Sequence, residues 1–113
     1  MKREIQKGEM IRMNQVVLVG RVVTLPVVSE EGRRATLKIA VQRPYKNADG
    51  VYETDFIDCI LWNELMNSAV EYLKVGDIIG IKGRLQSDEG ITKVISEKVT
   101  FLSAKSSNER SDD

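Results

Sequence analysis

Residues 52–62 read YETDFIDCILW, and residues 63–74 follow without a break as NELMNSAVEYLK. Strand alternation sends Ile57, Cys59 and Leu61 to one face, and Tyr52, Thr54, Phe56, Asp58, Ile60 and Trp62 to the other. The first row already supplies a strand's share of a core, so Phe56 and Trp62 are rings surplus to it. The next segment switches to helical period. Leu65, Ala69 and Leu73, with Met66 and Val70, make one apolar stripe. Asn63 stands where an N-cap is needed, and Gly76 where a helix stops. One short helix set among strands suits a plug at the end of a barrel.

Working outward, residues 33–42 (RRATLKIAVQ) alternate cleanly. Ala35, Leu37, Ile39 and Val41 form an inner row, and Arg34, Thr36, Lys38, Ala40 and Gln42 an outer, partly basic one. Residues 43–50 (RPYKNADG) are a turn-rich connection. Residues 15–23 (QVVLVGRVV) are apolar on both faces, so this strand needs cover beyond the core, and a second subunit is a natural source. Residues 24–32 read as a loop around Pro26. Residues 77–85 (DIIGIKGRL) form a strand, and Ser87-Asp88-Glu89-Gly90 turns it into a last strand over 91–102. The order strand, strand, strand, helix, strand, strand predicts an all-β fold with one short helix: a five-stranded Greek-key oligonucleotide-binding (OB-fold) barrel. The barrel is expected over residues 13–103. Residues 104–113 read as a disordered polar tail. Residues 1–12 read either as a flexible arm or as sequence upstream of a natural start at Met13, since Lys7-Gly8-Glu9 can be encoded by a purine-rich ribosome-binding signal.

Composition narrows the chemistry. The chain has 113 residues, 42% of them hydrophobic, enough for one domain with a real core. Cys59 is the lone cysteine and there is no histidine. No intrachain disulfide, zinc site or histidine general base can be assembled. No nucleophile elbow, phosphate-cradling glycine loop or calcium loop is present. The reading is therefore no enzyme, no catalytic residue, no metal and no cofactor. No apolar run reaches membrane-spanning length, and residues 1–13 lack the core of a signal peptide, so a cytoplasmic protein with no membrane partner is expected. Lys and Arg number 17, Asp and Glu 17, for a net charge of zero. Any grip on a polyanion must come from where charges stand.

Basic residues interleaved with exposed rings are what a single strand of nucleic acid needs, because every base offers a π-face to stack. Tyr45, Phe56 and Trp62 are the candidate stacking residues. Arg21, Lys38, Arg43, Lys46, Lys82 and Arg84 are the candidate phosphate contacts. Each has a plainer reading: Trp62 can cap the core, Phe56 can belong to a subunit interface, and surface cations can be merely solvated. Tyr52 is placed at the rim.

From Met13 to about Leu102 the chain resembles the bacterial single-stranded DNA-binding protein family. The resemblance is carried by MNQVVLVGRV, LKIAVQRPYKNADG, TDFIDCILWNELMNSAVEYLKVGD and IKGRLQ. It implies a nucleoid-associated homotetramer of such barrels that binds single-stranded DNA in replication, recombination and repair. The family's stacking positions fall by motif on Tyr45, Phe56 and Trp62, and its basic contacts on Arg21, Lys38, Arg43, Lys46 and Arg84. Two features depart from the family. Its long hairpin after the fourth strand, often with a further ring, is here the short acidic QSDEG. Its acidic tip closing in Pro-Phe is replaced by NERSDD, so recruitment of replication and repair proteins through this end is not expected. The short form resembles accessory versions tied to natural transformation, phages or mobile elements. Two alternatives stay open: a dimeric relative of primosomal replication protein N, and a protein-interaction barrel with no nucleic-acid role.

Overall fold

The computed structural model describes residues 12–104, so the readings of residues 1–11 and 105–113 lie outside the described residues. The elements run β1 (Val16–Val28), β2 (Arg34–Lys46), β3 (Tyr52–Trp62), α1 (Asn63–Tyr72), β4 (Ile78–Asp88) and β5 (Ile91–Ser103). The strands close in the order β1-β2-β3-β5-β4. All pairings are antiparallel except β3 with β5, which is parallel. This is the five-stranded OB-fold barrel expected from the sequence, with its helix between β3 and β4.

The alternating rows fix which side is in. Ala35, Leu37 and Ile39 of β2, Cys59 and Leu61 of β3, Ile79 and Ile81 of β4, and Val94 of β5 are buried in one cluster. Val16, Leu18, Val41 and Ile57, partly buried, pack against it. Helix α1 closes one end through Met66 and Ala69, followed by Leu73 just past its last turn. Burial pushes the Cys59 thiol up to about 12, with the nearby Asp58 charge adding to the effect.

Several local expectations are corrected. β1 does not end at Val23 but continues to Val28, with irregularities between Val22 and Thr24 and between Thr24 and Val27. Such bulges let Pro26 stay in the strand although it has no N–H to give. β2 likewise runs on to Lys46 across an irregularity that contains Pro44. Asn63 is not the N-cap. It is the first helical residue, at φ 48°, and the cap position is an extended Trp62 with no side-chain capping bond. The Asn63 N–H instead donates to the Arg33 carbonyl at 3.0 Å, which ties the helix start to the head of β2. Val70 is exposed, because Met66, Ala69 and Leu73 define a narrower buried stripe. Ile60, assigned to the outer row, is buried; beside it in register lies Ile95, also buried, and neither belongs to the interior cluster.

The link from α1 to β4 is pinned from two sides. The Asp77 carboxylate accepts from the Lys74 N–H at 2.9 Å. Backbone bonds then join Gly76 and Asp77 to Val22 of β1 at 2.8 Å each. The outer face of the neighbouring strands is thereby held in fixed relation to the helix.

Candidate nucleic-acid interface

The chain's three tyrosines, two phenylalanines and one tryptophan are all exposed, while the core is built from aliphatic side chains, Met66 and Cys59. Large rings carry the greatest apolar area of any side chains and usually dominate cores and interfaces. Phe56 is 60% and Trp62 41% exposed, so neither is packed into the core of this chain.

The register of β2 against β3 builds the surface on which they stand. Across the two outer rows Arg34 faces Trp62, Thr36 faces Ile60, Lys38 faces Asp58, Ala40 faces Phe56 and Gln42 faces Thr54. Beyond the irregularity Lys46 faces Tyr52. On the far side of β2, Arg21 of β1 pairs with Ala40. Arg21, Ala40 and Phe56 therefore lie in one line across three strands. Ala40 is small, and the line dips there into an open groove floored by Gly20 and Ala40 and walled by Arg21, Gln42 and Thr54. On the other side Ile60 leads through Ile95 of β5 to Arg84 of β4. Phe56 and Trp62 are separated by six residues of one strand, about 20 Å at strand rise.

The six predicted cations do not all reach this surface. Arg21 does, with one guanidinium nitrogen donating to the Gly76 carbonyl at 2.8 Å. Lys38 does, in an ion pair with Asp58 at 3.0 Å. Arg84 lies at its edge, donating to Gln86 at 2.7 Å and 3.7 Å from Glu97. Lys46 stands 5.7 Å from the centre of the Tyr52 ring. Lys82 lies elsewhere on the barrel, beside Val17 of β1 and Lys98 of β5. Arg43 points to the opposite side of the β2–β3 ribbon. It shares strand parity with Val41, and both of its ion-pair partners, Asp55 and Glu53, share parity with Ile57. Arg43 grips Asp55 through three hydrogen bonds of 2.8–3.2 Å and Glu53 at 2.7 Å. Those bonds hold the Asp55 carboxyl below its ordinary pKa and raise that of the guanidinium. Tyr45, the third predicted stacking residue, is exposed near the end of β2, next to Lys46, whose register partner is Tyr52.

Two residues of the surface are not among the candidate contacts named from sequence. Arg34 stacks its guanidinium 5.7 Å from the Trp62 ring centre. Tyr52, placed at the rim from sequence, continues the row of Phe56 and Trp62. Strand parity was the available signal for both. Parity sets Arg34 and Tyr52 on the outer rows, but that Arg34 meets Trp62 and Tyr52 meets Lys46 follows only from the register of β2 against β3.

A surface of this kind, with rings in one row and cations across from them on the neighbouring strand, matches the stacking platforms of single-strand binders. Comparison with known proteins decides the family. The single-strand binding protein family profile matches residues 13–106. The chain belongs to that family. It is 36% identical over 105 residues to single-stranded DNA-binding protein 3 of Listeria innocua serovar 6a, covering 82% of this chain and 66% of the relative. It is 34% identical over 104 residues to single-stranded DNA-binding protein B of Bacillus subtilis, covering 81% and 92%. The chain thus spans about two thirds of the Listeria relative and nearly all of the Bacillus one. In fold it is similar to the small single-stranded DNA-binding protein from Streptomyces coelicolor, with TM-score 0.66 and 22% identity over 81% of this chain and 94% of that one. It is also similar to the Plasmodium falciparum family member solved with single-stranded DNA, with TM-score 0.69 and 20% identity over 83% and 98%. Among the described residues no cluster of His, Cys, Asp or Glu could hold a metal, and no helix is long and apolar enough to cross a membrane.

Proposed function

We propose that the protein binds single-stranded DNA without regard to sequence, stacking bases on Phe56 and Trp62 and drawing phosphates to Arg21, Arg34, Lys38 and Lys46. The observation that carries this reading is the pair of rings left exposed on the outer row of β3, with Arg34 across from Trp62 and Lys38 set on β2 between the levels of the two rings. The relatives' names agree with it. Its setting is cytoplasmic DNA metabolism, as a binding protein that performs no chemistry itself. Arg43 serves as a clamp within the β2–β3 ribbon and Lys82 as a residue of the β1–β4 face. Tyr45, exposed beside Lys46, adds a further stacking contact.

The working unit is a homotetramer. Val17 and Val19 of β1 are 70% and 55% exposed on one strand face, an apolar stripe that a second copy would cover. A dimer by native mass would favour the reading as a relative of primosomal replication protein N. The binding test is tryptophan emission, since Trp62 is the chain's one tryptophan. Thymidine oligomers are expected to quench it at low salt, with added salt weakening the effect. An emission spectrum untouched by excess oligomer at low salt would leave the protein-interaction barrel as the better reading.

A further inference from the structure

We propose that Asp58 competes with the nucleic-acid backbone for Lys38, and that this carboxylate sets how tightly, and with what salt dependence, the Phe56–Trp62 surface holds a strand. The inference rests on the single-strand-binding reading and names the residue that regulates it. Asp58 stands in the same outer row as both rings, two residues from Phe56 and four from Trp62. That places it about 7 Å and 13 Å along the strand from them. A strand stacked on both rings must pass over it. Directly opposite, Lys38 is its Cα partner in register and its ion-pair partner at 3.0 Å. The neighbours of Lys38 along β2 in this row are Thr36 and Ala40, so it is the cation that β2 sets between the levels of the two rings.

The cation is therefore already occupied when a strand arrives. A phosphate that takes Lys38 must turn Asp58 away and then lie near a bare carboxylate. The side chains are 40% and 43% exposed, so solvent and ligand both reach the pair. Exposed pairs of this kind are held weakly, which makes the contact a modulator and not a block. Lys38 is set apart from the other cations of the surface by this pairing: Arg21 donates to the Gly76 carbonyl, and Arg34 and Lys46 lie beside the Trp62 and Tyr52 rings.

The test is a double-mutant cycle on the full chain, reading affinity for a thymidine oligomer across salt concentrations. Asp58→Asn keeps the shape and removes the charge. It is expected to tighten binding about two- to five-fold at low salt, the range open to one exposed pair. It should also steepen the log–log salt slope by about 0.7, the value of one more phosphate contact on a single strand. In the Lys38→Gln background the same substitution should gain much less, because no cation is released. Thermal melts confirm that each variant is folded. Equal affinity and slope for Asp58→Asn and wild type would overturn the proposal. So would a gain that survives in full without Lys38, which would reduce Asp58 to a long-range charge. If wild type and every variant leave Trp62 emission unchanged, the binding reading itself fails and takes the inference with it.

Discussion

Trp62 ends β3 and occupies the cap position of α1, with one flank under the Arg34 guanidinium. Its ring can therefore be removed without opening the core. Trp62→Ala and Phe56→Ala are each expected to weaken oligomer binding by about 1–3 kcal/mol, the worth of one stacked base, with little change in melting temperature. Fluorescence anisotropy of a labelled oligomer, paired with thermal melts, measures both. A Trp62→Ala variant that melts far lower yet binds as wild type would show the ring to be structural. Cys59 is the opposite case. It is fully buried and its thiol is pushed up to about 12 by burial. It should resist a thiol reagent at pH 8 in the native protein and react at once in denaturant. Because the native pKa lies above the ordinary value, its contribution to stability is complete below about pH 9 and is lost as pH rises toward 12. At this scale strand parity made Phe56, Trp62 and the inward row legible in the sequence. Arg43 is a candidate by charge alone; its parity with Val41 and its ion pairs to Asp55 and Glu53 set it on the other side of the β2–β3 ribbon from Phe56.

The strands differ in how much of them could be read. β3 was read with its full span because nothing interrupts its alternation, and β1 and β2 were read short because Pro26 and Pro44 resemble strand ends. Only bulges, visible in the register alone, reconcile proline with strand. β4 and β5 hold a tighter constraint. A Cβ added at Gly83 would overlap the Ile95 carbonyl oxygen and lie 2.9 Å from its carbonyl carbon. Backbone cannot swing aside as a side chain can, so Gly83→Ala is expected to cost about 3 kcal/mol, at the upper end for overpacking. Urea unfolding measures this, and an unchanged midpoint would mean that the two strands separate easily there. The β2–β3 ribbon has a clamp that responds to acid. Its bonds from Arg43 lower the Asp55 pKa, so their support is present above the ordinary carboxylate range and is lost as pH falls through the lowered value. Amide exchange in residues 47–52, compared between wild type and Arg43→Gln, should converge in acid and differ at neutral pH.

Taken as a whole, the molecule carries no net charge, and that much is plain from composition. What composition hides is pairing. Lys38 meets Asp58, Arg43 meets Glu53 and Asp55, and Arg84 approaches Glu97, each across strands whose register decides the contact. One uncovered patch among the described residues is apolar. Val19 of β1 pairs with Gly80 of β4, and Leu102 of β5 comes close over Gly80, so bare backbone and aliphatic side chains make one patch with Val17. Lys82 and Lys98 border it, since Val17 pairs with Lys82 and Lys82 with Lys98. If a second copy covers this patch, a cation placed at Val17 would be buried among like charges, a combination that burial penalises heavily. Val17→Lys is therefore expected to lower the native mass toward that of a single chain. It should leave Trp62 quenching per chain largely intact, because Val17 stands on another part of the barrel from the rings. Native mass spectrometry and the thymidine titration read the two effects separately. An assembly that keeps its full mass with both Val17→Lys and Val19→Lys would place the subunit contact elsewhere on the barrel.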